Sequence, residues 1–134
     1  MNTRTALLGL AAATLMSTPA LADLAVEGSD QDVSGGTVAA SKIMADTNGW
    51  LVVHRTDGKK PGPVVGHAPL RKGENNDVVA ILTEPVKSGD KLMLMLHGEK
   101  GGSKTGIFEY TLGAKEDGPV KVDGKLVMSI ITAK

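Results

Sequence analysis

The sequence predicts an all-β fold built as two packed antiparallel sheets, and three observations carry the prediction. From Asp23 onward no apolar repeat of 3.6 residues occurs. Short runs rich in β-branched residues recur instead. Clusters of Gly, Pro, Asn and Asp separate these runs at intervals suited to a sandwich.

The first 22 residues stand apart. Arg4 sits in a short leading region, an apolar run follows from Ala6 to Met16, and Pro19 precedes the small-residue triplet Ala20-Leu21-Ala22. That is the pattern of a cleavable secretory signal. The run is shorter than the roughly 20 residues a spanning helix needs, and no second stretch of that length follows. The expectation is an exported protein, periplasmic or extracellular, in which residues 1–22 are removed. Residues 23–134 then form one β-sandwich domain with no membrane-spanning segment.

Within that domain, strands are expected near Leu24 to Glu27, Gly36 to Met44, Gly49 to Thr56, Pro63 to His67 and Asp77 to Leu82. Further strands are expected near Lys91 to His97, Gly106 to Thr111, Val120 to Val122 and Lys125 to Thr132. The breaker-rich stretch Thr56 to Gly62, Ser88-Gly89-Asp90 and Lys100 to Ser103 punctuate them. Asp123-Gly124 between two apolar-rich runs predicts a type I′ hairpin turn. Side chains alternate across a strand, so Leu92, Leu94 and Leu96 share one face, read as the core face. Met93, Met95 and His97 share the other. In the run from Gly49 to Thr56, Trp50, Val52 and His54 oppose Leu51, Val53 and Arg55, and alternation leaves open which set points inward.

Composition removes several function classes. With Arg4 gone, 14 basic residues face 15 acidic ones, a net charge of −1 that offers no electrostatic basis for binding nucleic acid. The chain has no Cys, which excludes blue-copper sites, iron–sulfur clusters, covalent c-type haem and thiol nucleophiles. Trp50, Phe108 and Tyr110 are the only aromatics, too few for a stacking platform.

Several segments follow one another in a recognisable order: Gly49-Trp50-Leu51-Val52-Val53-His54, Pro61 to Gly66, Leu92 to His97, Gly106-Ile107-Phe108-Glu109 and Asp117-Gly118-Pro119-Val120. Together they make the chain, from about Gly36 to Ile131, resemble an uncharacterised domain-of-unknown-function family. Its members are exported proteins of archaea and bacteria, including cell-surface proteins of halophiles. The resemblance implies an immunoglobulin-like or cupredoxin-like β-sandwich and brings no activity with it. Members of that family often carry Asp two residues beyond the position of His97, where this chain has Glu99.

The sharpest chemical pattern is Met93-x-Met95-x-His97, three soft or borderline ligands on one strand face. Thioethers and imidazole suit Cu(I), making copper the cofactor this pattern admits. Same-face neighbours lie about 7 Å apart along a strand, and Met93 and His97 about 13 Å apart, so one ion needs a ligand from another strand. His54 and Trp50 supply it if the Gly49 to Thr56 strand lies alongside. The competing reading makes the methionines apolar filling and the histidines polar strand ends bonded to loop backbone. His67, just before Ala68-Pro69, reads as a surface loop residue.

Other patterns are weaker. Gly98 to Thr105 nearly spells a phosphate-binding loop, but Ser103 replaces its last glycine and an extended run follows where a helix is required. Asp57, Asp77, Asp90, Asp117 and Asp123 adjoin turns without forming a calcium loop. No supported catalytic constellation is present, so the chain is not read as an enzyme. The leading reading is an exported β-sandwich binding or interaction module for an unknown protein or small ligand. The alternative is a periplasmic metal-handling protein holding Cu(I) through His54, Met93, Met95 and His97.

Overall fold

The computed structural model describes residues 23–134, so the expected signal segment lies outside the described residues. Nine strands follow in order: β1 (Ala25–Glu27), β2 (Thr37–Ala45), β3 (Gly49–Thr56), β4 (Pro61–Leu70), β5 (Gly73–Ile81), β6 (Lys91–Gly98), β7 (Lys121–Val122), β8 (Lys125–Leu126) and β9 (Met128–Thr132). No helix occurs among the described residues. One sheet has the order β1-β2-β5 and the other β4-β3-β6-β9, with every pairing antiparallel. The architecture is the all-β sandwich that strand alternation predicts.

The leucines of β6 enter the space between the sheets as expected. Leu92, Leu94 and Leu96 are buried there with Leu51 and Val53 of β3, Val38, Ala40 and Ile43 of β2, and Ile131 of β9. Each buried leucine contributes about 2 kcal/mol of apolar burial. Their placement also settles the open question on β3: Leu51 and Val53 face inward, so Trp50, Val52 and His54 occupy the outer face of the larger sheet. The short β7–β8 hairpin pairs Val122 with Lys125. Asp123 and Gly124 both have positive φ, 51° and 76°, as a type I′ turn demands.

One expected strand is absent. Residues 106–111 form no ladder and belong instead to a long irregular connection from β6 to β7. The alternation of Phe108 and Tyr110 is genuine, but it serves covering rather than pairing. The backbone N–H of Glu109 donates to the Asp117 carboxylate at 2.8 Å, a side-chain partner where a strand would find a neighbouring carbonyl. Tyr110 is buried and Phe108 half-buried against imidazoles of the larger sheet. That sheet is therefore covered on both faces over its central strands, by the smaller sheet within and by this connection outside.

Candidate metal centre

β3 and β6 are neighbours, and their register pairs Trp50 with His97, Val52 with Met95 and His54 with Met93. All six side chains share the outer face. His54 and His97 stand at opposite ends of this block, and their rings reach towards one another over the Val52–Met95 pair. The two Nε2 atoms are 3.3 Å apart, and the rings are 5.4 Å apart between centroids at 29°. His54, His97, Met93 and Met95 are all fully buried.

Each ring is fixed from behind. His54 Nδ1 lies 2.8 Å from the carbonyl of Gly62, and His97 Nδ1 lies 2.7 Å from the carbonyl of Asp117. A carbonyl only accepts, so both Nδ1 atoms carry the proton. In the neutral rings both Nε2 atoms are then bare, and two lone pairs confront each other across the gap. A third proton or a cation between them resolves the conflict. Burial lowers the proton affinity of both rings. For His97 it brings the pKa down to about 4, opposed by the Asp117 carbonyl and reinforced by neighbouring His54.

The local backbone explains how these carbonyls come to hand. β4 shifts register against β3 between Val53 and His54 and again between His54 and Thr56, an irregularity of the kind that redirects backbone groups next to sites. It brings the Gly62 carbonyl to His54. Asp117, with φ 47°, presents its carbonyl to His97. Its carboxylate accepts from the N–H groups of Lys100 at 3.1 Å and Glu109 at 2.8 Å. This buried side chain thus pins the start and the middle of the covering segment.

Aromatic rings close the remaining sides. Tyr110 stands edge-on to His97 at 4.6 Å and to His54 at 5.9 Å. Phe108 stacks on His67 at 4.3 Å, and Trp50 packs against both. Trp50 Nε1 donates to Glu99 at 2.8 Å, so the acidic group two residues beyond His97 orients the indole.

Of the four residues singled out from the sequence, the structure brings His54 and His97 into direct contact. It sets Met95 at the register position beneath their gap and Met93 opposite His54. His67 lies within β4, paired with Val52, not in a loop as expected, since β4 continues through Ala68-Pro69 to Leu70; it belongs to the surrounding aromatic cluster and is exposed to solvent. Asp117, Gly62, Tyr110 and Glu99 are parts of the site that strand alternation could not find, although Gly62 and Asp117 lie in segments that carry the family resemblance and Glu99 occupies a position at which that resemblance expects an acidic residue.

The near phosphate loop has a different occupant. The Glu109 carboxylate accepts from the N–H groups of Ser103 at 3.0 Å and Lys104 at 2.8 Å, and these bonds hold it below its ordinary pKa. Several aspartates are engaged in the same way: Asp57 caps the N–H of Lys59, and Asp90 caps Lys87 and pairs with Arg55. Among the described residues no three His, Cys, Asp or Glu side chains gather around one point.

The fold and site define a small β-sandwich with a buried, proton-poor histidine pair under an aromatic cover. The chain belongs to the DUF7282 family, a domain of unknown function, whose model matches residues 24–134. Comparison with curated proteins and with solved structures finds no match.

Proposed function

We propose that this domain is an exported binding module whose ligand is Cu(I), held between Nε2 of His54 and Nε2 of His97 with the Met95 thioether as a third donor. The observation that carries this reading is the pair of bare Nε2 atoms 3.3 Å apart, each ring locked in that tautomer by a carbonyl. An ion about 2 Å from both nitrogens at this spacing subtends an angle of about 110°, which leaves one side open to a thioether. Two imidazoles and a thioether form a soft, nearly neutral donor set, suited to a soft monovalent ion and poorly suited to hard cations that seek oxygen. The dry aromatic surroundings favour a low-charge ion, since desolvating a dication costs far more. Export, expected from residues 1–22, places the domain where copper must be bound without cytosolic thiols.

The test is an anaerobic Cu(I) titration against a chromophoric chelator, using protein purified after expression of the full chain. One-to-one binding is expected, abolished by His97→Ala and weakened by Met95→Leu. Wild-type protein that competes no better than His97→Ala overturns the reading and leaves the pair as a structural contact.

A further inference from the structure

Resting on that reading, we propose that Met128 is the transfer ligand through which Cu(I) enters and leaves the histidine pair, from the exposed start of β9. One row of side chains runs across the larger sheet. Register pairs His67 with Val52, Val52 with Met95, and Met95 with Met128, so the row reads His67–Val52–Met95–Met128 on the outer face. The histidine pair lies over its middle. Val52 and Met95 are fully buried, whereas Met128 is 36% exposed and His67 is exposed at the other end. The row has two ends that meet solvent, and each bears a donor atom.

The two ends differ in continuity. From His67 the next residue inward is Val52, which carries no donor, and Phe108 stacks face to face on the His67 ring at 4.3 Å. From Met128 the next residue inward is Met95, itself beneath the gap between the imidazoles. Directly opposed residues of an antiparallel pair have Cα atoms about 4.5–5.5 Å apart, and the three flexible bonds of each methionine let both sulfurs contact one ion. A chain of soft donors therefore runs without interruption from solvent to the site on the β9 side alone. In its sheet β9 pairs only with β6; across its other edge Asp30 and Gln31 accept from the N–H groups of Thr132 and Lys134, so access for a copper donor lies at the Met128 end, where that residue stays 36% exposed. Met128 also helps line a groove of about 330 Å³ beside β1 and the β7–β8 hairpin.

Transfer by this route is ligand exchange. The bond to the Met128 sulfur forms before the bond to the donor's ligand breaks, Met95 then replaces Met128, and the imidazoles follow. Copper remains Cu(I) throughout, and no electron or proton is required from a further reagent.

The experiment is stopped-flow exchange of Cu(I) between a chelator complex and the full-chain protein, in both directions, for wild type, Met128→Leu and His67→Leu. Leucine preserves the volume of methionine, so the fold is retained and only the sulfur is lost. Uptake and release are expected to slow together by about tenfold or more in Met128→Leu, and to slow less in His67→Leu, which alters the cover without removing a donor from the Met95 side. Unchanged rates in Met128→Leu overturn the proposal, as does slowing confined to His67→Leu, which would put entry on the β4 side. Weaker affinity without slower exchange also overturns it, because Met128 would then be a ligand of the resting site. Wild-type protein that takes up no Cu(I) instead refutes the function on which this inference rests, an outcome distinct from the others.

Discussion

Acidification of the metal-free protein probes the histidine pair directly. In the folded chain His97 has its pKa lowered to about 4, first by burial, against the opposing bond to the Asp117 carbonyl and with the help of His54. In the unfolded chain an imidazole titrates near 6.5. As pH falls, the unfolded state therefore takes up the proton first, and the stability present above about pH 6.5 is lost progressively down to about pH 4. Each pH unit within this window costs about 1.4 kcal/mol, so His97 alone removes about 1 kcal/mol by pH 5.5 and about 3 kcal/mol by pH 4. His54 acts in the same direction, since burial lowers it too. The carboxylates with lowered pKa, Asp32, Asp57, Asp90 and Glu109, begin to lose their contribution only as the unfolded chain takes up protons near the ordinary carboxylate pKa of about 4, so the loss above about pH 5 belongs to histidine. Urea unfolding between pH 7.5 and 4.5 measures it, and a loss of 1 kcal/mol shifts the midpoint by roughly 0.3–1 M. His97→Gln carries no titrating group and should show a profile flatter by one proton. Parallel profiles for wild type and variant would refute the argument, because they would mean that His97 ionises alike in the folded and unfolded chains.

Two substitutions test the frame around the pair. In Gly49→Ala the new Cβ would stand 2.3 Å from the His97 carbonyl oxygen, a backbone atom that cannot move without parting β3 from β6; unfolding should show a loss of about 3 kcal/mol, and Cu(I) affinity should fall with it. Asp117→Ala strips the acceptors from the N–H groups of Lys100 and Glu109 and puts alanine at a φ of 47°. About 3 kcal/mol is expected from these effects together, with faster amide exchange over residues 99–119; unchanged exchange there would show that Asp117 does not pin the cover.

Some interactions that shape this fold act within a strand, and others act between strands. The alternation of Leu92, Leu94 and Leu96 names their common face, because successive side chains in any strand point opposite ways whatever lies beside them. Asp123-Gly124 likewise specifies its hairpin, since two adjacent positive φ values favour those residues locally. Residues 106–111 have the alternating aromatic pattern of a strand but cover the outer face of the larger sheet, Phe108 stacked on His67 and Tyr110 edge-on to His97. Alternation could not orient β3, because Trp50 and Val52 are as apolar as Leu51 and Val53 and both faces are buried. His54 and His97 were legible as ligand types, but their contact spans 43 positions of sequence and depends on β3 lying beside β6 in one register. A shift of one residue would turn one of them into the core. The proton positions on both rings come from the backbone carbonyls of Gly62 and Asp117, groups that every residue carries and no side-chain pattern reveals. The neighbour of Met95 on β9 is decided in the same way, by strand order. Residue types and local turns were thus set by the sequence itself, while the tertiary structure decided which donors share a space, since only folding brings distant strands into register.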